Sequence, residues 1–249
     1  LPAGAREAGA VLKARVARAA HLYVVPGGYP HGFKAFTADE APAALRWTVA
    51  WLPYAGMAAD RAAPTDGPPL VVGDPNHDLR GAYVEARWVA GQLAGPAVLM
   101  RAQATVARVR AALKGAGHVH FAGHGVLAER DPWAAHLQLA DGLLDVTDLL
   151  TVGLTGAPVV VLSGCETGVD AVLLDDSAVG LSEAFLALGA RSVVATDRPV
   201  ADGSALRFMK AFYGAGGAER PARGVQAAAK ALRAAGDPHW AAFRVIGLR

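Results

Sequence analysis

The sequence predicts an α/β fold with a largely parallel central sheet and helices on both of its faces. Short, continuous apolar runs recur along the chain, and such runs are typical of parallel strands that are buried on both faces. From about residue 70 onwards the runs alternate with amphipathic stretches of helical length, which is the pattern of βαβ units. Turns that contain Gly follow several of the runs and end the predicted strands.

The chain has 249 residues, enough to bury a large core in one large domain or two small ones. We predict a single domain over residues 1–249, which consists of an N-terminal subregion at 1–60 and a core at 68–249. The segment 58–69 is rich in Ala, Pro and Asp and is the best candidate for a linker between them.

The N-terminal subregion contains one predicted helix and two predicted strands. Apolar residues spaced four apart predict a short amphipathic helix over 5–19. A strand is predicted at 22–25, and 29–44 has the composition of a loop. In 46–54, Trp and Val residues alternate with Arg, Thr and Ala, which predicts a half-buried strand.

The core alternates strands and helices in the same way. Apolar runs that end in turns lie at 70–75, 97–100, 119–125, 159–168, 192–196 and 243–246. Helical patterns cover 82–93, 106–113 after a capping Thr105, 178–189, 202–213 and 221–235. Asp141-Gly142 lies between two short apolar stretches in 137–145, which predicts a β-hairpin.

Composition argues against several classes of function. The formal net charge is +2, too small to suggest binding to nucleic acid or to an acidic membrane surface. No apolar run approaches the roughly 20 residues that cross a bilayer, and the first residues lack the pattern of a signal peptide.

The chain begins at Leu1 and not at Met, so we expect it to be a piece of a longer protein. The single Cys indicates a reducing compartment, and we expect a cytoplasmic protein.

Two of the predicted strands end in turns that carry reactive side chains. One run leads to His124 and the other to Cys165. If the two strands are neighbours in a parallel sheet, both side chains emerge at its carboxyl edge, where open α/β sheets place their sites. A thiol beside an imidazole is the minimal pair for nucleophilic catalysis. The other interpretation of Cys165 is an ordinary buried core residue.

Histidines also suggest a metal site, which we do not favour. His118, His120 and His124 are spaced as His-X-His-X-X-X-His, but the residues between His120 and His124 supply no further ligand. We expect His118 and His120 to be packing or hydrogen-bonded histidines, with no metal and no cofactor. A nucleotide-binding or other α/β enzyme is also disfavoured, because the sequence has neither G-X-G-X-X-G opening a helix after the first strand nor a P-loop Lys-Ser/Thr.

Four motifs carry a resemblance to a known family. They are HFAGHG at 120–125, LSGCETG at 162–168, GLSEAFLALGARSVVAT at 180–196 and WAAFRVIG at 240–247. In this order they resemble the CHAT domain, a bacterial branch of the caspase-like and separase-like cysteine peptidases. The resemblance extends through VVGDP at 71–75 and LYVVPGG at 22–28.

The resemblance implies a caspase-like αβα sandwich, with 68–249 as its core, and cleavage of peptide bonds by a Cys–His dyad. By motif position, Cys165 is the nucleophile and His124 its partner. A free thiol, with a pKa near 8.5, is mostly protonated at neutral pH, so a charged His124 has to stabilise the thiolate. The backbone N–H groups of Gly125 and Cys165 are the candidate donors to the oxyanion.

Substrate specificity is predicted only in outline. Asp175 and Asp176 lie in the loop 167–177, where they would suit a basic P1 residue, although Asp176 or Ser177 could instead cap the next helix. The family usually has an apolar residue and Trp before the Pro that follows the strand at 192–196, whereas this chain has Asp197 and Arg198. Asp197 would favour a basic side chain and Arg198 an acidic one, and the two could also pair with each other.

CHAT domains commonly end longer chains that carry repeat or sensor domains, and they clip proteins in bacterial defence or in responses that resemble cell death. The resemblance therefore implies a regulated effector with a protein or peptide substrate and a regulatory sensor domain or partner protein. We expect the isolated domain to be weakly active until a partner orders the loops at 167–177 and 197–204. The alternative is a non-cleaving scaffold or interaction module, although such a module has no need for His124 and Cys165.

Overall fold

The computed structural model describes residues 19–25, 43–59, 66–126, 132–163, 180–196 and 198–248. Within these residues the chain forms a central sheet of eight strands and a second sheet of three strands. In chain order the strands are β1 (His21–Val24), β2 (Thr48–Trp51), β3 (Pro69–Gly73), β4 (Ala97–Met100), β5 (His118–Ala122), β6 (Gly125–Val126), β7 (His136–Leu139), β8 (Gly142–Asp145), β9 (Val159–Ser163), β10 (Ser192–Thr196) and β11 (Phe243–Gly247).

Helices connect and cover these strands. The α-helices are α1 (Ala43–Arg46), α2 (Arg80–Ala90), α3 (Val106–Leu113), α4 (Val146–Leu150), α5 (Leu181–Ala187), α6 (Asp202–Gly214) and α7 (Pro221–Ala234). Short 3₁₀ turns lie at Ala55–Ala59, Arg101–Gln103 and Pro132–Ala134.

The central sheet has the strand order β1-β2-β11-β10-β9-β5-β3-β4. Every neighbouring pair runs parallel except β10 and β11, which are antiparallel. The prediction of a largely parallel sheet is therefore confirmed. The smaller sheet, β6-β7-β8, is antiparallel and follows directly from the end of β5.

Two helical layers enclose the central sheet. Alternate residues of β3 show this arrangement: Leu70 and Val72 belong to one buried cluster and Val71 to the other. The first cluster also includes side chains of α3, α4, α5 and the small sheet, and the second includes those of α2, α6 and α7. Burial on both faces explains why β5 and β9 have no exposed position.

Glycines allow close approach on the α2 and α7 side. A Cβ on Gly73 would lie 2.4 Å from Ala86 Cβ, so the small residue lets α2 pack directly on β3. A Cβ on Gly224 would lie 2.6 Å from Gly217 Cα, at the contact between α6 and α7. Both positions therefore need glycine for packing.

The N-terminal subregion differs in detail from the prediction. The strand within 46–54 is shorter, and α1 occupies part of the segment 29–44 that was predicted as a loop. In β2 the buried residues are Thr48 and Ala50, whereas Trp51 is only partly buried. Ala50 packs in the cluster of α6 and α7, while the guanidinium of Arg244 lies 5.2 Å from the Trp51 ring centroid. The helix predicted at 5–19 lies outside the described residues, apart from Ala19.

The hairpin predicted at 137–145 is present, but its turn lies one residue earlier than expected. Leu139 pairs with Gly142, so the turn residues are Ala140 and Asp141. The carboxylate of Asp141 accepts a hydrogen bond from the Val106 N–H at 2.7 Å. Contact with the start of α3 therefore fixes the turn, in addition to the local sequence.

Candidate active site

Two neighbouring strands end at the same edge of the central sheet. β5 and β9 are parallel and hydrogen-bonded, with Ala122 beside Ser163 at their carboxyl ends. His124 follows Ala122 by two positions, and Cys165 follows Ser163 by two positions. The predicted adjacency of the two strands is confirmed, whereas Cys165 itself lies outside the described residues.

His124 is held between the two sheets. Its carbonyl oxygen accepts a hydrogen bond from the Gln138 N–H of β7 at 2.9 Å. Gly123 makes the preceding turn possible, because a Cβ there would lie 2.9 Å from Pro75 Cδ. Gly125 is buried and begins β6. The imidazole of His124 is 36% exposed and is therefore accessible from solvent.

The imidazole of His124 has a carboxylate partner that the sequence did not reveal. Both oxygens of Asp78 lie close to His124 Nε2, Oδ1 at 3.2 Å and Oδ2 at 3.1 Å. Asp78 belongs to the loop between β3 and α2, which emerges at the same carboxyl edge as His124. Asp78 follows a predicted parallel strand, and this position is typical of site residues in α/β proteins. No motif, however, distinguishes Asp78 from the neighbouring polar residues.

Asp74 organises the loop that carries Asp78. Its side chain is almost fully buried, and the residue has a positive φ of 49°. One carboxylate oxygen accepts from the Leu79 N–H at 2.8 Å and the other from Arg101 Nε at 3.1 Å. The Arg101 guanidinium also lies 4.0 Å from the Tyr83 ring centroid. These contacts close the loop 74–79 into a compact turn.

A buried polar chain lies beneath the site, on the face of β5 that packs against α2 and α6. His120 Nε2 lies 3.1 Å from Glu85 Oε1, and its Nδ1 lies 3.0 Å from the Tyr213 hydroxyl. The same hydroxyl lies 2.9 Å from His118 Nε2. The expectation that His118 and His120 are hydrogen-bonded histidines is therefore confirmed.

Burial sets the protonation of this polar chain. It lowers the pKa of His118 to about 3, with the nearby His120 and Arg191 acting in the same direction. Burial also raises the pKa of Tyr213 well above 10, with Glu85 as a smaller cause. Tyr213 therefore keeps its proton, which it can donate to only one of the two rings. The other ring has to donate to the hydroxyl oxygen.

A small cavity separates the polar chain from the ends of the strands. Its volume is about 20 Å³, enough for one water molecule. Glu85, Gly123, Ser163, Thr196 and Asp202 are among the residues that line it. The cavity therefore lies at the carboxyl ends of β5, β9 and β10.

Most of the predicted substrate-binding residues lie outside the described part of the chain. These are Asp175, Asp176 and Asp197. Arg198 is described and exposed, and it follows the carboxyl end of β10. Within the described residues, no group of three or more His, Cys, Asp and Glu side chains could hold a metal ion. No helix in that part of the chain is long and apolar enough to cross a membrane.

Comparison with known proteins gives a family and a fold. The sequence model of the CHAT domain family matches residues 8–248, whereas no curated protein sequence matches the chain. Among solved structures, separase of Saccharomyces cerevisiae in its complex with securin is similar, with a TM-score of 0.57 and 14% identity over 81% of this chain. The Arg specific cysteine proteinase gingipain R is also similar, with a TM-score of 0.50 and 12% identity over 72% of this chain.

These structural similarities concern the fold alone, because the sequence identities are low. The chain covers 14% of the separase chain and 45% of the gingipain chain. Its fold is the mixed α/β fold of the caspase-like peptidases, as the four sequence motifs predicted.

Proposed function

This chain belongs to the CHAT domain family, and from that premise we propose that it is a cysteine endopeptidase with Cys165 as nucleophile and His124 as acid–base partner. The observation that carries the proposal is the pairing of β5 with β9. Ala122 and Ser163 are registered neighbours at the carboxyl edge, and the two reactive residues each follow by two positions. The fold of separase and gingipain R supports the same class of chemistry.

The proposed reaction has two stages. The Cys165 thiolate attacks the carbonyl carbon of the scissile peptide, and the oxygen takes the negative charge. Protonated His124 gives its proton to the departing amine as the C–N bond breaks, which leaves a thioester. Water then attacks the thioester while His124 takes its proton, and the thiolate departs. Backbone N–H groups of Gly125 and Cys165 stabilise the oxyanion, and each donor accounts for roughly 100-fold in rate.

We further propose that residues around the dyad select the substrate. Arg198 lies just beyond the end of β10, beside β9, and is exposed. Together with Asp197, Asp175 and Asp176 it would contact the side chain on the amino side of the cleaved bond. The acidic residues would favour a basic P1 side chain and Arg198 an acidic one.

Family membership also supports a cellular role. We propose a cytoplasmic effector in bacterial defence or in signalling that resembles cell death, activated by a sensor domain or a partner protein. Separase was crystallised in a complex with securin, so a caspase-like fold of this kind can be held by a protein partner.

Cleavage of a peptide library by the wild-type chain and by Cys165→Ala tests the proposed function. The wild type is expected to cut after a restricted set of P1 residues, whereas the variant is expected to be inactive. Cleavage that persists in the variant would contradict the role of Cys165. A wild-type chain that binds a partner without cutting any peptide, with or without that partner, would favour the scaffold function instead.

A further inference from the structure

We propose that Asp78 is a positioning residue for His124. It holds the proton on Nε2, so that Nδ1 is the nitrogen that exchanges a proton with the Cys165 thiol. This inference rests on the proposed peptidase function for its catalytic consequence. The contact between Asp78 and His124 is independent of that function.

The contact with Asp78 determines which nitrogen of the neutral imidazole carries the proton. An ionised carboxylate only accepts hydrogen bonds, and both Asp78 oxygens lie within 3.2 Å of Nε2. In the neutral ring, a proton on Nε2 leaves Nδ1 as the acceptor. A base that takes a proton from a thiol needs a free acceptor nitrogen, so Nδ1 is the reacting atom.

The loop that carries Asp78 is tied to the loop that carries His124. The Asn76 amide donates to the Gln138 side chain at 3.1 Å. The backbone N–H of the same Gln138 donates to the His124 carbonyl at 2.9 Å. Pro75 packs against Gly123, where a Cβ would come within 2.9 Å. One residue of β7 thus fixes both loops relative to each other.

The other side of the loop is fixed by Asp74. Its buried carboxylate binds the Leu79 N–H next to Asp78 and also binds Arg101. Asp78 is therefore held from both sides, although its own side chain is 55% exposed. A surface carboxylate with no function would not need this support, whereas a group that orients a catalytic ring does.

The charge of Asp78 has a second consequence. When a thiolate–imidazolium pair forms, His124 carries a positive charge that the carboxylate stabilises. Because both side chains are partly exposed, solvent screens this effect and keeps it small. Orientation of the ring is therefore expected to contribute more to the rate than charge.

The tautomer of His124 tests the contact without any need for activity. We suggest nitrogen NMR of the histidine rings in the full chain carrying Cys165→Ala, with and without Asp78→Ala. The expected result is a neutral His124 protonated on Nε2, and a mixture of both tautomers when Asp78 is removed. A ring protonated on Nδ1, or a tautomer that does not respond to Asp78→Ala, would overturn the proposal.

The rate of Cys165 alkylation by iodoacetamide tests the catalytic consequence. Asp78→Ala is expected to slow alkylation at neutral pH by roughly tenfold, because the ring is no longer oriented. Asp78→Asn keeps an acceptor oxygen, so it is expected to retain most of the rate. Asp66→Asn is the matched control, since it removes an exposed carboxylate at the opposite end of β3.

Failure of the proposed peptidase function can be distinguished from failure of the proposed role of Asp78. If the wild type reacts no faster than His124→Ala, the proposed function falls, and the catalytic role of Asp78 falls with it. If the wild type reacts much faster than His124→Ala but both Asp78 variants match Asp66→Asn, the dyad stands and the proposal for Asp78 is wrong. The urea unfolding midpoints of Asp78→Ala, Asp78→Asn and Asp66→Asn are expected to match that of the wild type. The alkylation rates are then compared between proteins that are equally folded.

Discussion

The carboxylates at the carboxyl edge and beneath it differ in how far they are exposed, and exposure decides what each can do. Asp78 is more than half exposed and contacts a partly exposed imidazole, so it can act on a side chain at the surface of the candidate site. Glu85 is only 3% exposed in its side chain and contacts the fully buried His120, so it has no access to substrate. The first pair therefore belongs to the candidate site and the second to the framework beneath it.

Glu85 is expected to be important for stability. Replacement by Ala removes the carboxylate that lies 3.1 Å from His120 Nε2 and leaves the buried ring without it, and a buried polar group left unsatisfied costs roughly 1–3 kcal/mol. The free energy of unfolding measured in urea should fall by about that amount. The exposed Glu219→Ala is the comparison, with an expected loss below about 1 kcal/mol. If both variants lose the same free energy of unfolding, Glu85 does not stabilise the buried polar chain as expected.

His118 makes stability depend on pH. Its pKa is lowered from 6.5 to about 3 in the folded chain, so between these values the unfolded chain binds a proton that the folded chain does not. The stability contributed by the neutral ring is complete above pH 6.5 and is lost as the pH falls towards 3. At pH 5 the expected loss is about 2 kcal/mol.

The variant His118→Leu removes this titration and places an apolar side chain in the buried position. Urea unfolding between pH 7.5 and 5 is expected to show a shallower decline of the free energy of unfolding in the variant than in the wild type. An unchanged slope would show that His118 does not carry the effect.

The sequence could not reveal which residues of the candidate site contact each other when they lie far apart in the chain. His118 and His120 could be predicted as packing or hydrogen-bonded residues, because the residues between His120 and His124 supply no further metal ligand. Asp78 could not be linked to His124, which lies 46 positions away. Only the folded loop between β3 and α2 brings the two together.

At the scale of elements, strands and helices of the core followed from local pattern. Thr105 accepts a hydrogen bond from the Arg108 N–H and caps α3, as predicted. Gly189, the last residue of the helical pattern predicted over 178–189, has a φ of 104° just after α5. These features depend on the residues themselves and their immediate neighbours.

The errors arose where tertiary contacts overrode the local pattern. The turn of the β7–β8 hairpin was predicted from Asp141-Gly142, but Asp141 is used to bind the start of α3. In β2 the buried residues are the small Ala50 and Thr48, because α7 packs against that strand and leaves less room there. The local sequence of the hairpin does not reveal its contact with α3, and that of β2 does not reveal its contact with α7.

The contact between β3 and α2 offers a test at this scale. Gly73→Ala would place a Cβ 2.4 Å from Ala86 Cβ and 2.7 Å from Met100 Sδ, which forces the helix away from the strand. We expect a loss of about 1–3 kcal/mol in the free energy of unfolding. Because Asp74 follows directly, the rate of peptide cleavage is expected to fall as well.

Gly115→Ala is the matched control for this substitution, since a Cβ at Gly115 meets nothing within 4 Å. Its stability and activity are expected to match the wild type. A Gly73→Ala variant that behaves like Gly115→Ala would show that β3 and α2 can separate at little cost.

At the scale of the whole molecule, the sheet order joins the two predicted subregions. β1 and β2 come from the N-terminal subregion, yet β2 pairs with β11 at the end of the core, with Trp51 beside Ile246. The sequence did not predict this connection, because strand order depends on long-range pairing. The single domain over 1–249 remains a prediction.

Unfolding tests whether the subregions behave as one unit. If they do, tryptophan fluorescence and far-ultraviolet circular dichroism should follow the same transition in urea. The tryptophans sample both parts of the chain, with Trp47 and Trp51 in the N-terminal subregion and Trp88 and Trp240 in the core. Two separated transitions would indicate that residues 1–60 unfold on their own.

The central claim is that the ends of two neighbouring strands bring a thiol and an imidazole together. The most direct measurement is the rate of Cys165 alkylation across pH 5–9 in the wild type and in His124→Ala. We predict a wild-type rate near neutral pH well above that of a free thiol, and a His124→Ala rate that falls to the free-thiol value and rises only near pH 8.5. Identical pH profiles for the two proteins would contradict the claim.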